Sequence, residues 1–127
     1  LEHSFRISVG TQIGKNPLIR TIRDRLIMKA RADCGLSMND IRTVYTRMME
    51  LPLSLRTIHK LTKNYGSRSW LDKFRVKWRN PGSVMQKVKF GRLCTLAKAW
   101  IRWVITFNIK MSVEELTAYI DSGEKPP

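Results

Sequence analysis

The fold depends on residues 70–90, which read WLDKFRVKWRNPGSVMQKVKF. Trp70, Phe74 and Trp78 recur every four residues, which is the spacing of one face of a helix. Residues 73–79 instead alternate charged and apolar side chains without a fault, which is the period of a half-buried strand. Both periods are present, so this one stretch is compatible with two different folds.

Three features of this stretch favour a β-hairpin. Phe74, Val76 and Trp78 are strong strand formers. Residues 80–83 (Asn-Pro-Gly-Ser) give a four-residue turn signal, and alternation resumes over residues 84–90. We therefore expect a mainly α fold of about five helices with one basic β-hairpin. If the stretch is helical instead, the chain is an all-α bundle.

The flanking segments have helical periodicity and capping signals. The five predicted helices start at Asn16-Pro17, Ser37, Ser54, Arg92 and Ser112, and end before Gly35, at Leu51-Pro52, at Gly66, at Phe107 and at Ser122-Gly123. A short strand is predicted at residues 5–9, where apolar and polar residues alternate. In the Arg92 to Phe107 helix, one half of the helical wheel is apolar and is expected to be core: Leu93, Leu96, Ala97, Trp100, Trp103, Val104 and Phe107.

The chain has 127 residues, of which 43% are hydrophobic, so it can bury a core of ordinary size. This length suits one domain. We expect residues 1–125 to form a single basic globular domain, with residues 126–127 starting a Pro-rich linker.

Charge is distributed unevenly along the chain. The 24 Lys and Arg residues outnumber the 10 Asp and Glu, which gives a formal net charge of +14. Between Ile41 and Lys110 the only acids are Glu50 and Asp72, whereas the last seventeen residues contain four acids and one lysine. Such a one-sided field concentrates polyanions near the protein and destabilises it through self-repulsion. An anionic partner is therefore expected.

Sequence signatures of enzymes are absent: there is no Gly-rich phosphate loop, no HExxH and no GxSxG. Carboxylates are too few in the basic region to hold catalytic metal ions. His59 is expected to be a packed or hydrogen-bonded structural residue rather than a catalyst. Cys34 and Cys94 are expected to be small buried or boundary residues without a redox role. We predict a chain that is not an enzyme and takes no cofactor or metal.

The basic residues of the third helix and of residues 68–92 are the predicted nucleic-acid-binding site: Arg56, Lys60, Lys63, Arg68, Lys73, Arg75, Lys77, Arg79, Lys87, Lys89 and Arg92. In a hairpin, four of these cations would project from one face and repel one another across the strands. In a helix, cations would flank the aromatic stripe on both sides. Either geometry favours an anionic ligand, and the aromatic residues are expected to be core.

The order of strand, helix, helix, break, helix and basic hairpin over residues 5–90 resembles the winged-helix arrangement. That resemblance implies a third helix that enters a groove of nucleic acid and a hairpin that lies along the backbone. It rests on element order alone, without a residue motif. The second helix is long for such a motif, and the Trp-rich helix after residue 92 is an addition to it.

These features predict a non-catalytic nucleic-acid-binding domain that contacts the phosphate backbone, with DNA and RNA equally compatible. One alternative is a viral-matrix-like or peripheral domain on anionic membrane, and another is an interaction module for an acidic protein partner or oligomer. Two cysteines without a disulfide pattern or a signal peptide favour an intracellular setting, in the nucleus, the cytoplasm or a host cell.

Overall fold

A computed structural model describes residues 13–66 and 84–127. Within this part of the chain, five helices have nine residues or more. They are α1 (Pro17–Ala32), α2 (Met38–Met49), α3 (Leu55–Gly66), α4 (Val84–Thr106) and α5 (Val113–Asp121). Residues 13–15 are also helical, and no strand occurs among the described residues. The protein is therefore mainly helical.

The predicted β-hairpin, and with it the winged-helix arrangement, is wrong. Residues 84–90, expected to form its second strand, are the first turns of α4. Phe90 is fully buried and extends the apolar face of α4 that continues through Cys94 and Ala97. A helix places these residues on one side, so core packing overrides the local alternation. The first arm at residues 70–79, and the strand predicted at residues 5–9, lie outside the described residues.

The predicted helix starts at α1, α2, α3 and α5 are confirmed by their caps. The side chain of Asn16 accepts a hydrogen bond from the amide of Leu18 at 2.9 Å, and Pro17 occupies the first turn. Serine hydroxyls cap the other three helices by accepting from the amide three residues later, at 3.1 to 3.2 Å: Ser37, Ser54 and Ser112. Each cap satisfies an amide that has no partner within its helix.

Helix α1 lies at the centre of the core and packs on α2, α3, α4 and α5. Its apolar face is buried, including Ile19, Ile22 and Ile27. Helix α4 packs on α1 and α2, and α3 packs on α1 and α2 from another side. The four helices around α1 therefore bury their apolar faces against it or against one another, and their polar faces are turned outward.

The predicted core face of α4 is confirmed except at its end. Trp100 is 1% exposed and Trp103 is partly buried against the core. Phe107, also expected in the core, is 66% exposed. The helix ends at Thr106, and Asn108 has a positive φ of 47° that turns the chain away. Phe107 therefore leaves the helical register that would have directed it inward.

Five residues, Glu50 to Ser54, connect α2 to α3. Glu50 ends α2 in the left-handed conformation (φ 56°, ψ 35°), and its amide donates to the carbonyl of Thr46. Leu51 and Leu53 are buried in the core. The turn is therefore fixed at both ends and in its middle, which sets the position of α3 against α2.

No helix in the described part of the chain has the length and apolar composition needed to span a membrane.

Candidate nucleic-acid interface

Helix α3 separates apolar and basic residues on opposite faces. Ile58 and Thr62 are buried against the core, and the hydroxyl of Thr62 donates to the carbonyl of Ile58 within the helix. The exposed positions Arg56, His59, Lys60 and Lys63 fall within about 100° of the helix circumference. The third helix therefore presents its predicted basic residues together, along one outer stripe.

Helix α2 places two further cations on the surface next to α3. Ile41, Val44 and Tyr45 are buried, whereas Arg42 and Arg47 are exposed on the opposite face. A shallow groove joins this face to the turn, and its walls are Arg42, Thr43, Thr46, Arg47, Pro52 and Leu53. Neither arginine was among the predicted site residues, although the helical wheel of α2 already places both opposite its apolar stripe.

Five cations on these two helices are named here the α2–α3 cations: Arg42, Arg47, Arg56, Lys60 and Lys63. Within the described part of the chain, none of them has a carboxylate oxygen within 4.0 Å of a side-chain nitrogen. Glu50 is the single acid in the sequence between the first and the last of them. Their positive charge is therefore not neutralised by neighbouring described side chains.

The cations of α1 are, in contrast, held by partners. Three of them pair with carboxylates at 2.8 to 4.0 Å: Arg23 with Asp24, Arg25 with Asp121, and Lys29 with Asp33. Arg20 donates to the carbonyls of Ile13 and Gly14, and Arg31 donates to the carbonyl of Leu36 at 2.7 Å. These side chains stabilise the fold, so a free basic surface is associated with α2 and α3 rather than with α1.

The predicted site residues of α4 do not form a common face. Lys87 lies 3.9 Å from the carboxylate of Asp40, and the ammonium of Lys89 donates to the carbonyl of Asp33 at 3.1 Å. Residues that are two apart in a helix are rotated by about 200° around its axis, so Lys87 and Lys89 point to different sides. In a strand, residues that are two apart point to the same side. Arg92 is exposed and has no carboxylate of the described residues within 4.0 Å.

Five more predicted site residues lie outside the described residues: Arg68, Lys73, Arg75, Lys77 and Arg79. The basic surface that the structure describes is therefore the outer side of α2 and α3. Arg92 on α4 is a further exposed cation.

The two cysteines and His59 lie in different environments. Cys34 and Cys94 are buried, as predicted, and burial raises the pKa of Cys94 to about 12 and also raises that of Cys34. This burial disfavours the thiolate form, which is the nucleophile and the metal ligand. His59 is exposed, so it does not have the packed position that was one of its two predicted structural roles. Among the described residues, no three His, Cys, Asp or Glu side chains are grouped to hold a metal ion.

Comparison of the chain with protein-family models, with curated proteins and with solved structures found no match. A function must therefore be inferred from the charges, exposure and contacts of the chain itself.

Proposed function

We propose that this protein is a non-catalytic, intracellular nucleic-acid-binding domain whose α2–α3 cations contact phosphate groups. The supporting observation is the contrast between two sets of cations. Those of α1 are paired with carboxylates or carbonyls, whereas the five on α2 and α3 are exposed and have no carboxylate partner among the described residues.

Electrostatics explains why such a surface favours a polyanion. Like charges on two adjacent helices repel one another, and phosphates placed between them would remove that repulsion. Arginine can donate two parallel hydrogen bonds to one phosphate, and lysine provides a compact charge on a flexible stem. Nucleic acid also releases condensed counterions when it binds cations, which adds a favourable entropy.

Salt dependence tests this proposal directly. Each neutralised phosphate of a DNA duplex contributes about −0.9 to the slope of log K against log salt, so five contacts predict a slope of roughly −4 to −5. The affinity of the full chain for labelled DNA and RNA should be measured by fluorescence anisotropy at several salt concentrations. Slopes near zero for both nucleic acids would contradict the proposal.

A charge-matched pair of variants tests where binding occurs. We expect Arg56→Glu/Lys60→Glu to weaken binding at least about tenfold, or roughly 1.4 kcal/mol, because it reverses two charges on the outer stripe of α3. The control is Lys110→Glu/Lys125→Glu, which changes the net charge equally at two exposed positions near the acidic end of the chain. Equal losses from both pairs would show that net charge, and not the α2–α3 surface, determines binding.

The same assay separates the other polyanions. Two further ligands should be included: vesicles that contain phosphatidylserine, and, separately, an acidic peptide. If the protein binds either of these and ignores DNA and RNA, then the basic surface serves a membrane or a protein partner and the proposal is wrong.

A further inference from the structure

Helices α2 and α3 pack on each other and are joined by a five-residue turn, which is the connectivity of a helix–turn–helix unit. Each helix has 12 residues, and the connecting turn is fixed by the left-handed Glu50 and by the buried Leu51 and Leu53. Helix α1 packs on both helices from the core side. In this arrangement the second helix of the pair is supported from behind, and its described outer residues, from Arg56 to Lys63, are exposed.

The outer stripe of α3 matches the major groove of B-form DNA in size and chemistry. A helix with its side chains is about 10–12 Å in diameter, and the stripe from Arg56 to Lys63 extends about 10 Å along the axis. The major groove is roughly 12 Å wide and admits a helix. Arg and Lys side chains donate to the N7 and O6 acceptors of guanine, and His59 in the middle of the stripe offers a further ring nitrogen.

The outer side chains that the structure describes, on α2 and on α3 up to Lys63, suit grooves and phosphates better than unstacked bases. Single-strand binding relies on aromatic side chains that stack on bases. Tyr45, the aromatic residue of α2, is 1% exposed and packs in the core. The exposed residues of α2 are instead polar: Asn39, Arg42, Thr43, Thr46 and Arg47. An RNA duplex is also a poor fit, because its A-form major groove is too deep and narrow for side chains to read.

We infer that the nucleic acid is duplex B-form DNA, with the outer stripe of α3 in the major groove and Arg42 and Arg47 of α2 on the flanking phosphates. This inference rests on the proposed function and adds the ligand class and the division of roles. The groove between α2 and the turn lies beside both arginines, so a phosphate there would be held by α2 while α3 contacts the bases.

Four probes of one sequence and length test the inference at a single salt concentration. They are duplex DNA, duplex RNA, single-stranded DNA, and duplex DNA whose cytosines carry glucosylated hydroxymethyl groups that fill the major groove. We expect the unmodified DNA duplex to bind at least roughly tenfold more tightly than the RNA duplex or the glucosylated duplex, because all three carry phosphates but only the first admits α3.

The outcomes distinguish the inference from the function on which it rests. Equal affinity for the three duplexes, or tighter binding of the single strand, would overturn the inference and leave nucleic-acid binding in place. No binding to any of the four probes would overturn the proposed function itself.

Two matched single substitutions test the division of roles. Both Lys60→Gln and Arg47→Gln remove one exposed charge, and thermal melting should show that both variants stay folded. We expect Arg47→Gln to weaken all duplexes by a similar factor. Lys60→Gln should weaken unmodified DNA by roughly fivefold or more and leave the glucosylated duplex almost unchanged. If both variants weaken all duplexes alike, then α3 does not enter the groove.

Discussion

Trp100 connects α4, α5 and the C-terminal segment. Its ring meets Trp103 edge-on at a centroid distance of 5.4 Å and lies 5.9 Å from the ring of Tyr119. The indole N–H donates to the carbonyl of Glu124 at 3.0 Å. The side chain is therefore both packed and hydrogen-bonded, so its loss would leave a cavity and remove a hydrogen bond between α4 and the C-terminal segment.

Replacing Trp100 with alanine should lower the free energy of unfolding by about 3 to 5 kcal/mol. That is a large part of the 5 to 15 kcal/mol typical of a domain. Urea denaturation measures the change, and Phe107→Ala is the control because Phe107 is 66% exposed and its loss should cost within about 0.5 kcal/mol. If the two substitutions cost the same, Trp100 is not a core residue.

The raised pKa of the buried Cys94 thiol predicts that the protein loses stability at high pH. Burial raises its pKa from 9.0 to about 12, so the unfolded thiol ionises first. The stabilisation is complete below pH 9 and is lost as the pH rises from 9 towards 12. We expect the free energy of unfolding to fall more steeply over that window in the wild type than in Cys94→Ala, as measured by denaturation at several pH values. Parallel curves for the two proteins would contradict this expectation.

At the scale of the helices, the turn that connects α2 to α3 contains a residue in an unfavourable backbone conformation. Glu50 has a φ of 56°, a left-handed conformation that glycine adopts readily and other residues at a cost. We expect Glu50→Gly to raise the free energy of unfolding by up to about 1 kcal/mol. Glu50→Ala is the matched control, because it removes the same carboxylate and keeps the Cβ. Thermal melting should therefore separate the two variants, and equal stability would show that the turn carries no such cost.

The helix boundaries could be predicted where local hydrogen bonds determine them. Asn16, Ser37 and Ser112 cap their helices through contacts within three residues, which the sequence displays directly. The start of α4 could not be predicted in this way, because residues 84–90 follow a turn signal and carry the alternation of a strand. Burial of Phe90 in the core favours the helix instead, and such a contact is not visible in a local pattern.

The basic site was predictable to a similar extent. The outward position of Arg56, Lys60 and Lys63 follows from the helical period of α3, and that placement is confirmed. Lys87 and Lys89 were expected to share one face, but their contacts are with Asp40 and the carbonyl of Asp33, more than forty residues away in the sequence. Partners at that distance depend on the tertiary fold.

At the scale of the whole molecule, opposite charges occupy different helices around α1. The outer sides of α2 and α3 carry the α2–α3 cations, whereas α5 begins with the exposed acids Glu114 and Glu115. Both α3 and α5 pack on α1, so the core fixes where each set of charges lies. A polyanion should therefore approach the α2–α3 surface and be repelled by α5.

Lysine acetylation with and without saturating duplex DNA tests this arrangement most directly. Mass spectrometry reports the modification of each lysine in the folded chain. The account predicts that DNA protects Lys60 and Lys63 on α3 and leaves Lys110 and Lys125, near the acidic end, as reactive as in the free protein. Unchanged reactivity at Lys60 and Lys63, with protection at Lys110 and Lys125, would contradict it.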